Sequence, residues 1–366
     1  MKGSSQAKRQ EPSGKVEKLI SEKVEKLKDK ENIIRIALIG LGDRGRTALR
    51  LLLPVEGARI TALCDAIASN VVMARQLLAC DADIACASGP EAYLEICGRD
   101  DVDLVYICSD WASHTPIAVE AMRQGKHVAV EVPAATTLDE LQLLVDTAEA
   151  TARHCFLLEN CCYDPQVVSA IAAIRRGEIG EIVHAEGCYY HSLDERWNAW
   201  RLNINRRRRG DLYPTHELGP ICQALDIGRS DALQTLVSMD SRPFSGPLHY
   251  RRFLQQEAPD FQNGDHTTTL IRTALGRTIL LRHNVMTVQP YDRTLTFIGT
   301  HGRIDIHDVG RPSHDEMTIA MNAALISALR EGRPLDISVH DLALWCSVIP
   351  LSELSIAKGF APVAFP

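Results

Sequence analysis

The stretch IIRIALIGLGDRG, residues 33–45, decides the fold class of this chain. Residues 33–39 form an apolar run interrupted only by Arg35, which is typical of a buried parallel strand. The run leads into Gly40, Gly42 and Gly45, and residues 47–53 have a helical pattern. The first glycine permits a tight turn, the second admits a pyrophosphate, and the third allows close helix–strand packing. The stretch therefore predicts a dinucleotide-binding unit whose cofactor loop also contains Leu41, Asp43 and Arg44.

An acidic residue at the end of the next strand predicts which dinucleotide binds. The predicted strand 59–64 ends at Asp65, twenty residues after Gly45. A carboxylate in this position accepts hydrogen bonds from the ribose hydroxyls of the adenosine and repels a 2′-phosphate. We therefore predict NAD rather than NADP as the cofactor.

Strands and helices continue to alternate up to residue 155. Predicted strands cover residues 102–108 and 127–130, and predicted helices cover residues 115–124 and 138–151. Ligands of a doubly wound sheet lie at the carboxyl ends of its strands. This rule places Ser109, Trp111, His114 and Glu131 on the cofactor side. For His114 a second interpretation is open, in which backbone groups at a helix start satisfy the ring.

The pattern changes in the second half of the chain. After a helix at residues 165–176, strands with period-two alternation are predicted at residues 182–190, 267–273, 278–283 and 294–299. We predict an α/β protein: a polar tail or short helix over residues 1–32, a Rossmann doubly wound domain over 33–155, and an α+β domain over 156–366. The second domain is predicted to contain an open, mainly antiparallel sheet, and its last helices, at residues 317–329 and 338–356, are placed to pack back on the first domain.

Composition narrows the function classes. The formal net charge is -7, which argues against nucleic acid as a partner. The run from Arg206 to Arg209 is the local exception, either a solvated loop or a rim that attracts an anionic or sugar ligand. The 11 cysteines have neither metal-ligand spacing nor a disulfide framework, so we predict no metal site and a reducing compartment. Without an apolar run long enough to span a bilayer, we expect a cytoplasmic protein, or an exported one if a native signal has been removed.

The stretch GDLYPTHELGP, residues 210–220, is the candidate catalytic segment. Tyr213 and His216 lie three residues apart, and two polar rings would need buried partners inside a core. At the mouth of a pocket, the phenol and the imidazole can both reach one ligand. Combined with the dinucleotide unit, this segment predicts an enzyme that uses a nicotinamide cofactor on a polyhydroxylated substrate.

Several blocks of the sequence resemble a known family. The strand–turn–Asp65 unit, the Glu131-Val132-Pro133 segment and the order of the two domains resemble the Gfo/Idh/MocA oxidoreductases. Within them, the blocks at residues 130–137, 159–163, 212–220 and 345–355 are similar to glycoside hydrolase family 109, the NAD-dependent α-N-acetylgalactosaminidases. The resemblance covers nearly everything from Ile33 onward.

The resemblance implies a redox route to glycoside cleavage. In this family NAD stays bound: C3 of the sugar is oxidised, the C2 proton becomes acidic, the glycosidic oxygen leaves by 1,2-elimination, water adds at C1, and the ketone is reduced again. Ordinary glycosidases instead use two carboxylates. The wider family carries Glu-Lys-Pro, and Val132 replaces the lysine that assists proton transfer there. Tyr213 and His216 are the available replacements.

The resemblance also implies roles for particular residues. The cofactor positions are Gly40, Leu41, Gly42, Asp43, Arg44, Gly45, Asp65, Ser109, Trp111, His114, Glu131, Val132 and Asn160. The sugar positions are Tyr189, Arg201, Tyr213, Pro214, Thr215, His216 and Tyr291. We expect His216 to act as general base at the C3 hydroxyl, and Tyr189 or Tyr213 to handle the C2 proton or the oxyanion. Tyr189 facing the sheet core and Arg201 in a surface ion pair are the alternative interpretations.

Two departures from the family pattern concern the sugar site. Glu217 stands where the family has glycine, so it is expected to raise the pKa of His216 or to contact a different substrate group. The family's Gly-His-Gly-Gly-Met is Ser313-His314-Asp315-Glu316-Met317 here. The leading interpretation is an NAD-dependent glycosidase; a sugar or cyclitol dehydrogenase and a non-catalytic sugar-binding relative are the alternatives. The resemblance further implies a homo-oligomer, a dimer or tetramer.

Overall fold

A six-stranded parallel sheet forms the centre of the first domain. The computed structural model describes residues 32–78, 83–193 and 196–366, so the tail predicted for residues 1–32 lies outside it except for Asn32. The strands are β1 (Ile34–Ile39), β2 (Ala58–Asp65), β3 (Ala85–Ser88), β4 (Leu104–Ile107), β5 (His127–Val130) and β6 (Cys155–Leu157), in the order β3-β2-β1-β4-β5-β6. All neighbours pair in parallel, and the order reverses between β1 and β4. This is the predicted doubly wound sheet, whose ligand crevice lies at that reversal.

Helices connect these strands. They are α1 (Asp43–Leu52), α2 (Ala68–Arg75), α3 (Ala92–Cys97), α4 (Trp111–Arg123) and α5 (Leu138–Thr151). Helix α1 begins directly after Gly42, earlier than the predicted start at residue 47, so Asp43 and Arg44 belong to its first turn. Helix α5 begins with a capping box in which Thr137 and Glu140 satisfy each other's backbone N–H groups.

A seven-stranded open sheet forms the second domain. Its strands are β7 (Ile182–Tyr190), β8 (Leu233–Asp240), β9 (Thr267–Thr273), β10 (Thr278–Asn284), β11 (Leu295–Gly299), β12 (Arg303–Ile306) and β13 (Val363–Ala364), in the order β12-β11-β7-β10-β9-β8-β13. Only the β7–β10 pair is parallel among these described strands, so the prediction of a mainly antiparallel sheet is confirmed. The buried residues of β9 alternate with exposed ones, as expected for a half-buried strand.

The remaining helices surround the site and join the domains. A 3-10 turn (Asn160–Tyr163) follows β6, and the helices are α6 (Pro165–Arg175), α7 (Ala199–Arg207), α8 (Thr215–Leu225), α9 (Gly246–Leu254), α10 (His314–Glu331), α11 (Val339–Cys346) and α12 (Val348–Ala357). The single helix predicted for residues 338–356 is therefore two helices. Strand β6 carries the first sheet on to Leu157, two residues past the boundary predicted at residue 155.

Helices near the carboxyl end complete the first domain. Helix α11 packs on α5 and β6, and α10 packs on α1 and β1. A hydrogen bond of 3.2 Å joins the Tyr106 hydroxyl on β4 to Asn322 Oδ1 on α10. By length and composition, Val339–Ala357 could cross a membrane, but 61% of that segment is buried inside the protein. In this structure it is a core segment shared by the two domains.

Candidate active site

The glycine loop has the shape that a dinucleotide requires. Gly40 has φ +90°, and a Cβ there would lie 2.3 Å from the backbone nitrogen of Ser109. A Cβ on Gly45 would lie 1.8 Å from the carbonyl oxygen of Gly40, so the helix can approach the turn this closely only without a side chain. A Cβ on Gly42 would meet nothing within 4 Å. The open space at Gly42, beside the start of α1, is where a pyrophosphate fits.

Asp65 binds the same loop through a hydrogen bond and keeps one acceptor position for a ribose hydroxyl. Its Oδ2 accepts from the backbone N–H of Leu41 at 2.5 Å. Its Oδ1 accepts from the backbone N–H of Ile67 at 2.7 Å and from the amide of Asn70 at 3.1 Å. A carboxylate has about four acceptor positions, so one remains on Oδ2. The residues present therefore fit NAD, with Asp65 at the ribose and Gly42 at the phosphates.

Two other predicted cofactor residues tie the loop to its neighbours. Arg44 Nε donates to Glu131 Oε1 at 2.5 Å, which joins the start of α1 to the end of β5. Ser109 follows β4, and its hydroxyl accepts from the Ser113 hydroxyl at 2.7 Å. Both contacts lie at the carboxyl edge of the first sheet, on the side predicted for the cofactor.

His114 is bound by backbone groups on both sides of its ring. The ring is 1% exposed, Nδ1 lies 2.9 Å from the Pro133 carbonyl oxygen, and Nε2 lies 3.0 Å from the Ser109 carbonyl oxygen. Burial lowers the pKa of the ring, and the two carbonyl contacts oppose that shift. Because both nitrogens face carbonyl groups of the protein, the ring joins the loops after β4 and β5, and the backbone-satisfied interpretation describes it.

A buried carboxylate orients the candidate base. His216 lies in the first turn of α8, and its Nδ1 is 2.8 Å from Glu159 Oε1. Glu159 is fully buried after β6, where the same oxygen accepts from the backbone N–H of Cys161 at 3.1 Å. With Nδ1 held by the carboxylate, Nε2 is the ring nitrogen left to act on a ligand. No motif predicts a role for Glu159, although it stands in the block at residues 159–163 that resembles the family.

The electrostatics single out His216 among the rings of the site. Burial alone would lower its pKa, but the Glu159 carboxylate raises it well above the usual value. Burial lowers the pKa of His191 to about 4 and that of His283 to about 3, and it also lowers the pKa of His314. Three neutral imidazoles therefore surround one that binds a proton strongly, and this one is the best placed to accept a proton from a substrate hydroxyl.

Replacing Glu159 with glutamine is expected to shift the pH dependence of catalysis. Without the carboxylate, burial lowers the pKa of His216, so the limb on which kcat rises with pH moves to lower pH. The plateau value should fall by about 10²-fold or more, because the neutral ring is a weaker base and is less well oriented. The measurement is kcat against pH. The control is Glu186→Gln, which removes the carboxylate 3.4 Å from His184; equal shifts in both variants would contradict the assignment.

Aromatic rings from both domains form a wall beside His216, here called the aromatic wall: Trp111, Tyr189, Trp200, Tyr213 and Tyr291. The ring centroids of Tyr189 and His216 are 4.4 Å apart, and Trp111 meets Tyr213 edge-on at 5.1 Å. Burial raises the pKa of Tyr189 and of Tyr213, while Arg201 beside Tyr213 opposes that rise. Both phenols thus keep their protons at neutral pH and can donate to an oxyanion.

The other predicted sugar residues lie at or beside this wall. The hydroxyl of Tyr189 is hydrogen-bonded to His191 Nδ1 at 2.7 Å, although the ring also packs in a hydrophobic cluster, so the core-facing alternative is partly right. The Tyr291 hydroxyl is hydrogen-bonded to His314 Nε2. The guanidinium of Arg201 stacks over Trp200 at 4.5 Å. Pro214 and Thr215 start α8 and thereby position His216.

Asn160 and Val132 stand behind the site. The Asn160 amide donates to Thr318 Oγ1 at 2.9 Å and to the His314 carbonyl oxygen at 3.1 Å, which fixes the start of α10. Val132 is packed against the core of the first domain. His191 and His283 are not predicted as site residues, since each is an isolated histidine without a motif around it. His314 lies in the block from Ser313 to Met317, which the sequence marks only as a departure from the family pattern.

Glu217, expected to act on His216 or on a substrate group, makes no hydrogen bond to the imidazole. It is 1% exposed, and its two oxygens have no hydrogen-bond partner among residues 32–78, 83–193 and 196–366. Burial and the nearby Asp211 carboxylate raise its pKa well above the usual value. Burial also raises the pKa of Asp211 to about 7. Glu217 is therefore a protonated acid in the interior.

Glu217→Gln is expected to stabilise the protein at alkaline pH. A carboxyl group whose pKa is raised by folding binds more protons in the native state, so stability falls as pH rises above the unfolded pKa, near 4.5. The glutamine amide does not titrate, so its stability lacks this dependence on pH. We therefore expect the variant's free energy of unfolding to exceed that of the parent by about 2 kcal/mol at pH 8, and the difference to vanish near pH 4.5. Urea unfolding at both pH values measures it. Glu56→Gln, at a largely exposed position, is the control, and a gain independent of pH would contradict the explanation.

The basic run has a structural role. Arg206 pairs with Asp260, Arg208 with Glu353 and Arg209 with Asp240, at N···O distances of 2.8, 2.7 and 2.7 Å. Neither sequence interpretation, a free solvated loop or a ligand-attracting rim, describes these three side chains. They connect α7 to distant elements instead.

Comparisons of the fold and of the first domain indicate the class of enzyme to which this protein belongs. The structure superimposes on myo-inositol 2-dehydrogenase from Lactobacillus plantarum with a TM-score of 0.76, at 15% identity, over 91% of this chain and 100% of that one. It superimposes on scyllo-inositol dehydrogenase from Lactobacillus casei, solved with NAD(H) and scyllo-inositol, with a TM-score of 0.73, at 14% identity, over 91% and 99%. Residues 34–158 match the oxidoreductase family with an NAD-binding Rossmann fold. The protein is thus an NAD-dependent enzyme of the Gfo/Idh/MocA class.

Sequence comparisons assign the family within that class. Residues 194–308 and 306–366 match the C-terminal domain of glycosyl hydrolase 109. A glycosyl hydrolase family 109 protein of Porphyromonas gingivalis is 40% identical over 91% of this chain and 84% of its own length. An alpha-N-acetylgalactosaminidase of Bacteroides fragilis is 38% identical over 91% of both chains. The chain belongs to glycosyl hydrolase family 109, as the sequence resemblance predicts.

Proposed function

We propose that this enzyme cleaves α-linked N-acetylhexosaminides, with N-acetylgalactosamine as the typical sugar, by oxidation at C3, 1,2-elimination, addition of water and re-reduction. The observation that carries the proposal is the His216–Glu159 pair at 2.8 Å, a strong base facing the aromatic wall in a domain fused to an NAD-binding unit. The Bacteroides fragilis relative named alpha-N-acetylgalactosaminidase supports the choice of sugar.

NAD, when bound, supplies the hydride acceptor and donor, and the chain supplies the proton transfers. His216 Nε2 accepts the proton of the C3 hydroxyl, and Glu159 stabilises the imidazolium through Nδ1. Because the pKa of His216 is raised, the neutral ring that can accept this proton becomes more abundant as pH rises, so we expect an optimum on the alkaline side of neutrality.

The tyrosines act on the charge that follows. Once C3 is a ketone, removal of the C2 proton places negative charge on the C3 oxygen, and a protonated phenol from Tyr189 or Tyr213 can donate to it. The other phenol takes the C2 proton only in its ionised form, which becomes more abundant at alkaline pH. Tyr213 is the better candidate for that step, because burial raises its pKa while Arg201 opposes the rise.

The binding surface suits a sugar. The hydrophobic faces of Trp111, Trp200 and Tyr213 lie together, and Arg201 stacks on this group. Aromatic faces cover the apolar side of a pyranose ring while polar groups at the edge bind its hydroxyls. Trp111 belongs to the first domain and contacts Tyr213, which supports a sugar surface next to the cofactor domain.

The test is hydrolysis of p-nitrophenyl α-N-acetylgalactosaminide in deuterated water with no NAD added. We expect release of p-nitrophenol and a product sugar that carries deuterium at C2, since that proton is removed and replaced from solvent. A glycosidase that uses two carboxylates is the matched control and should leave C2 unlabelled. Release without C2 deuterium would contradict the elimination route. Accumulation of NADH from free sugar and added NAD, without glycoside cleavage, would assign the chain to the dehydrogenases.

A further inference from the structure

Three different donor atoms meet at the buried side of His216. Glu159 Oε1, Cys161 Sγ and His216 Nδ1 all lie within 4.8 Å of one another. Nδ1 is 2.8 Å from the carboxylate oxygen and 3.7 Å from the sulfur. Glu159 and Cys161 are both 0% exposed, so the cluster lies in the interior, directly behind the candidate base.

Local structure explains the cluster. Cys161 lies in the 3-10 turn that Glu159 begins, and the side chain of Glu159 accepts from the backbone N–H of Cys161. This hydrogen bond holds the carboxylate and the thiol on the same side of the turn. Helix α8 then presents the imidazole from the second domain. Spacing in the sequence does not reveal such a group, because the third member is 55 residues after Cys161.

The donor set is one that zinc prefers. Thiolate, imidazole and carboxylate bind Zn²⁺ at about 2.3, 2.0 and 2.0–2.2 Å in tetrahedral geometry, which places neighbouring donors roughly 3.3–3.7 Å apart. The Nδ1–Sγ distance of 3.7 Å already fits, and the Nδ1–Oε1 distance of 2.8 Å needs to open by about half an ångström.

A second feature of the cluster also favours a ligand. Glu159 Oε2 is buried and has no hydrogen bond of ordinary geometry within the described part of the chain, although the Thr215 hydroxyl lies near the carboxylate. An unpaired buried carboxylate oxygen is costly, and coordination of a cation would remove that cost. Soft ligands such as thiolate select thiophilic metals over Mg²⁺ or Ca²⁺.

We propose that Glu159, Cys161 and His216 bind a thiophilic divalent cation, with Zn²⁺ as the typical one, and that binding switches the enzyme off. Starting from the thiol and the doubly protonated imidazolium, coordination releases two protons to solvent, one from Cys161 Sγ and one from His216 Nδ1. The ring then keeps its remaining proton on Nε2 and cannot accept one from the substrate. The inhibition rests on the proposed role of His216, whereas the binding itself does not.

The test begins with cobalt(II), a spectroscopic substitute for zinc, added to the NAD-containing protein without substrate. We expect one equivalent to bind with a sulfur-to-cobalt charge-transfer band and tetrahedral ligand-field bands, and Zn²⁺ to displace it. Cys161→Ser should remove the charge-transfer band and weaken Zn²⁺ binding by about 100-fold. Circular dichroism and retained NAD verify that the variant is folded.

Neighbouring cysteines provide the matched controls. Cys162 is the adjacent buried thiol but faces Gly219, where a Cβ would lie 3.1 Å from its sulfur, and Cys86 is exposed. Cys162→Ser and Cys86→Ser should keep the charge-transfer band. No band in the parent protein, or the same band in Cys161→Ser, would overturn the site.

Inhibition kinetics then test the metal site and the proposed role of His216 separately. We expect micromolar or tighter Zn²⁺ to inhibit glycoside cleavage and EDTA to restore it. Cobalt binding with the sulfur band but without inhibition would leave the metal site standing and contradict the role of His216. Inhibition that persists in Cys161→Ser would overturn the proposal that this site is the switch.

Discussion

His216→Ala is expected to lower kcat for p-nitrophenyl α-N-acetylgalactosaminide by about 10³-fold, within the range that general acid–base groups contribute. The reason is the loss of the one imidazole in the site whose pKa is raised, through its contact with Glu159 at 2.8 Å. The measurement is steady-state release of p-nitrophenol, together with the amount of NAD retained by the purified variant. We expect that amount to be unchanged, because the glycine loop is intact.

The matched control is His340→Ala. His340 lies on α11 with 65% of its side chain exposed and pairs with Glu149, away from the site. Its loss should leave kcat within about twofold, as expected for a surface substitution. Near-normal turnover of His216→Ala with NAD bound would contradict the assignment of the base. Partial rescue of His216→Ala by added imidazole would support it.

Gly45→Ala is expected to abolish NAD retention and to destabilise the protein by about 3 kcal/mol or more, the upper range for forced overpacking. The new Cβ would lie 1.8 Å from the Gly40 carbonyl oxygen and 2.8 Å from its carbon, and a Cβ is fixed to the backbone and cannot rotate away from them. The greater helix propensity of alanine, about 1 kcal/mol, is too small to compensate. Thermal unfolding and the absorbance of released cofactor measure the two effects.

Alanine variants at two other glycines distinguish the effect on packing from the effect on NAD binding. Gly98, after α3, would place a Cβ no closer than 3.6 Å to its neighbours, so Gly98→Ala should leave both stability and NAD unchanged. A Cβ on Gly42 would meet no protein atom within 4 Å, so Gly42→Ala should remain folded but bind NAD more weakly. Equal loss of stability at Gly42 and Gly45 would contradict this account of the loop.

Local sequence patterns were sufficient to predict most of the strands and helices of the fold. Residues 33–45 predict β1, the glycine turn and α1 because strand, turn and helix are contiguous there, and Asp65 follows at the end of β2. The same local patterns predict β7 and β9 at their observed bounds. Strand β8 (Leu233–Asp240) was missed, since a serine and a threonine interrupt its apolar positions.

The polar partners in the site could not be predicted in the same way. Glu159 and His216 are 57 residues apart, and the packing of the 3-10 turn after β6 against α8 brings them together. Glu217 adjoins His216 in sequence, but consecutive residues on a helix point about 100° apart, so this carboxylate faces the interior. The acids that pair with Arg206, Arg208 and Arg209 lie 54, 145 and 31 residues further along the chain.

The packing of α10 and α11 on the first sheet limits how far this protein can be treated as two interchangeable modules. Those helices come from the carboxyl end of the chain, yet Asn322 binds Tyr106 on β4 and Trp345 is fully buried in the core shared by both domains. A chimera that replaced everything after residue 158 with a foreign sugar-binding domain would lose this cover and expose the back of the sheet. Recombination between relatives would therefore need to keep residues 314–346 with the NAD-binding half to produce a folded hybrid.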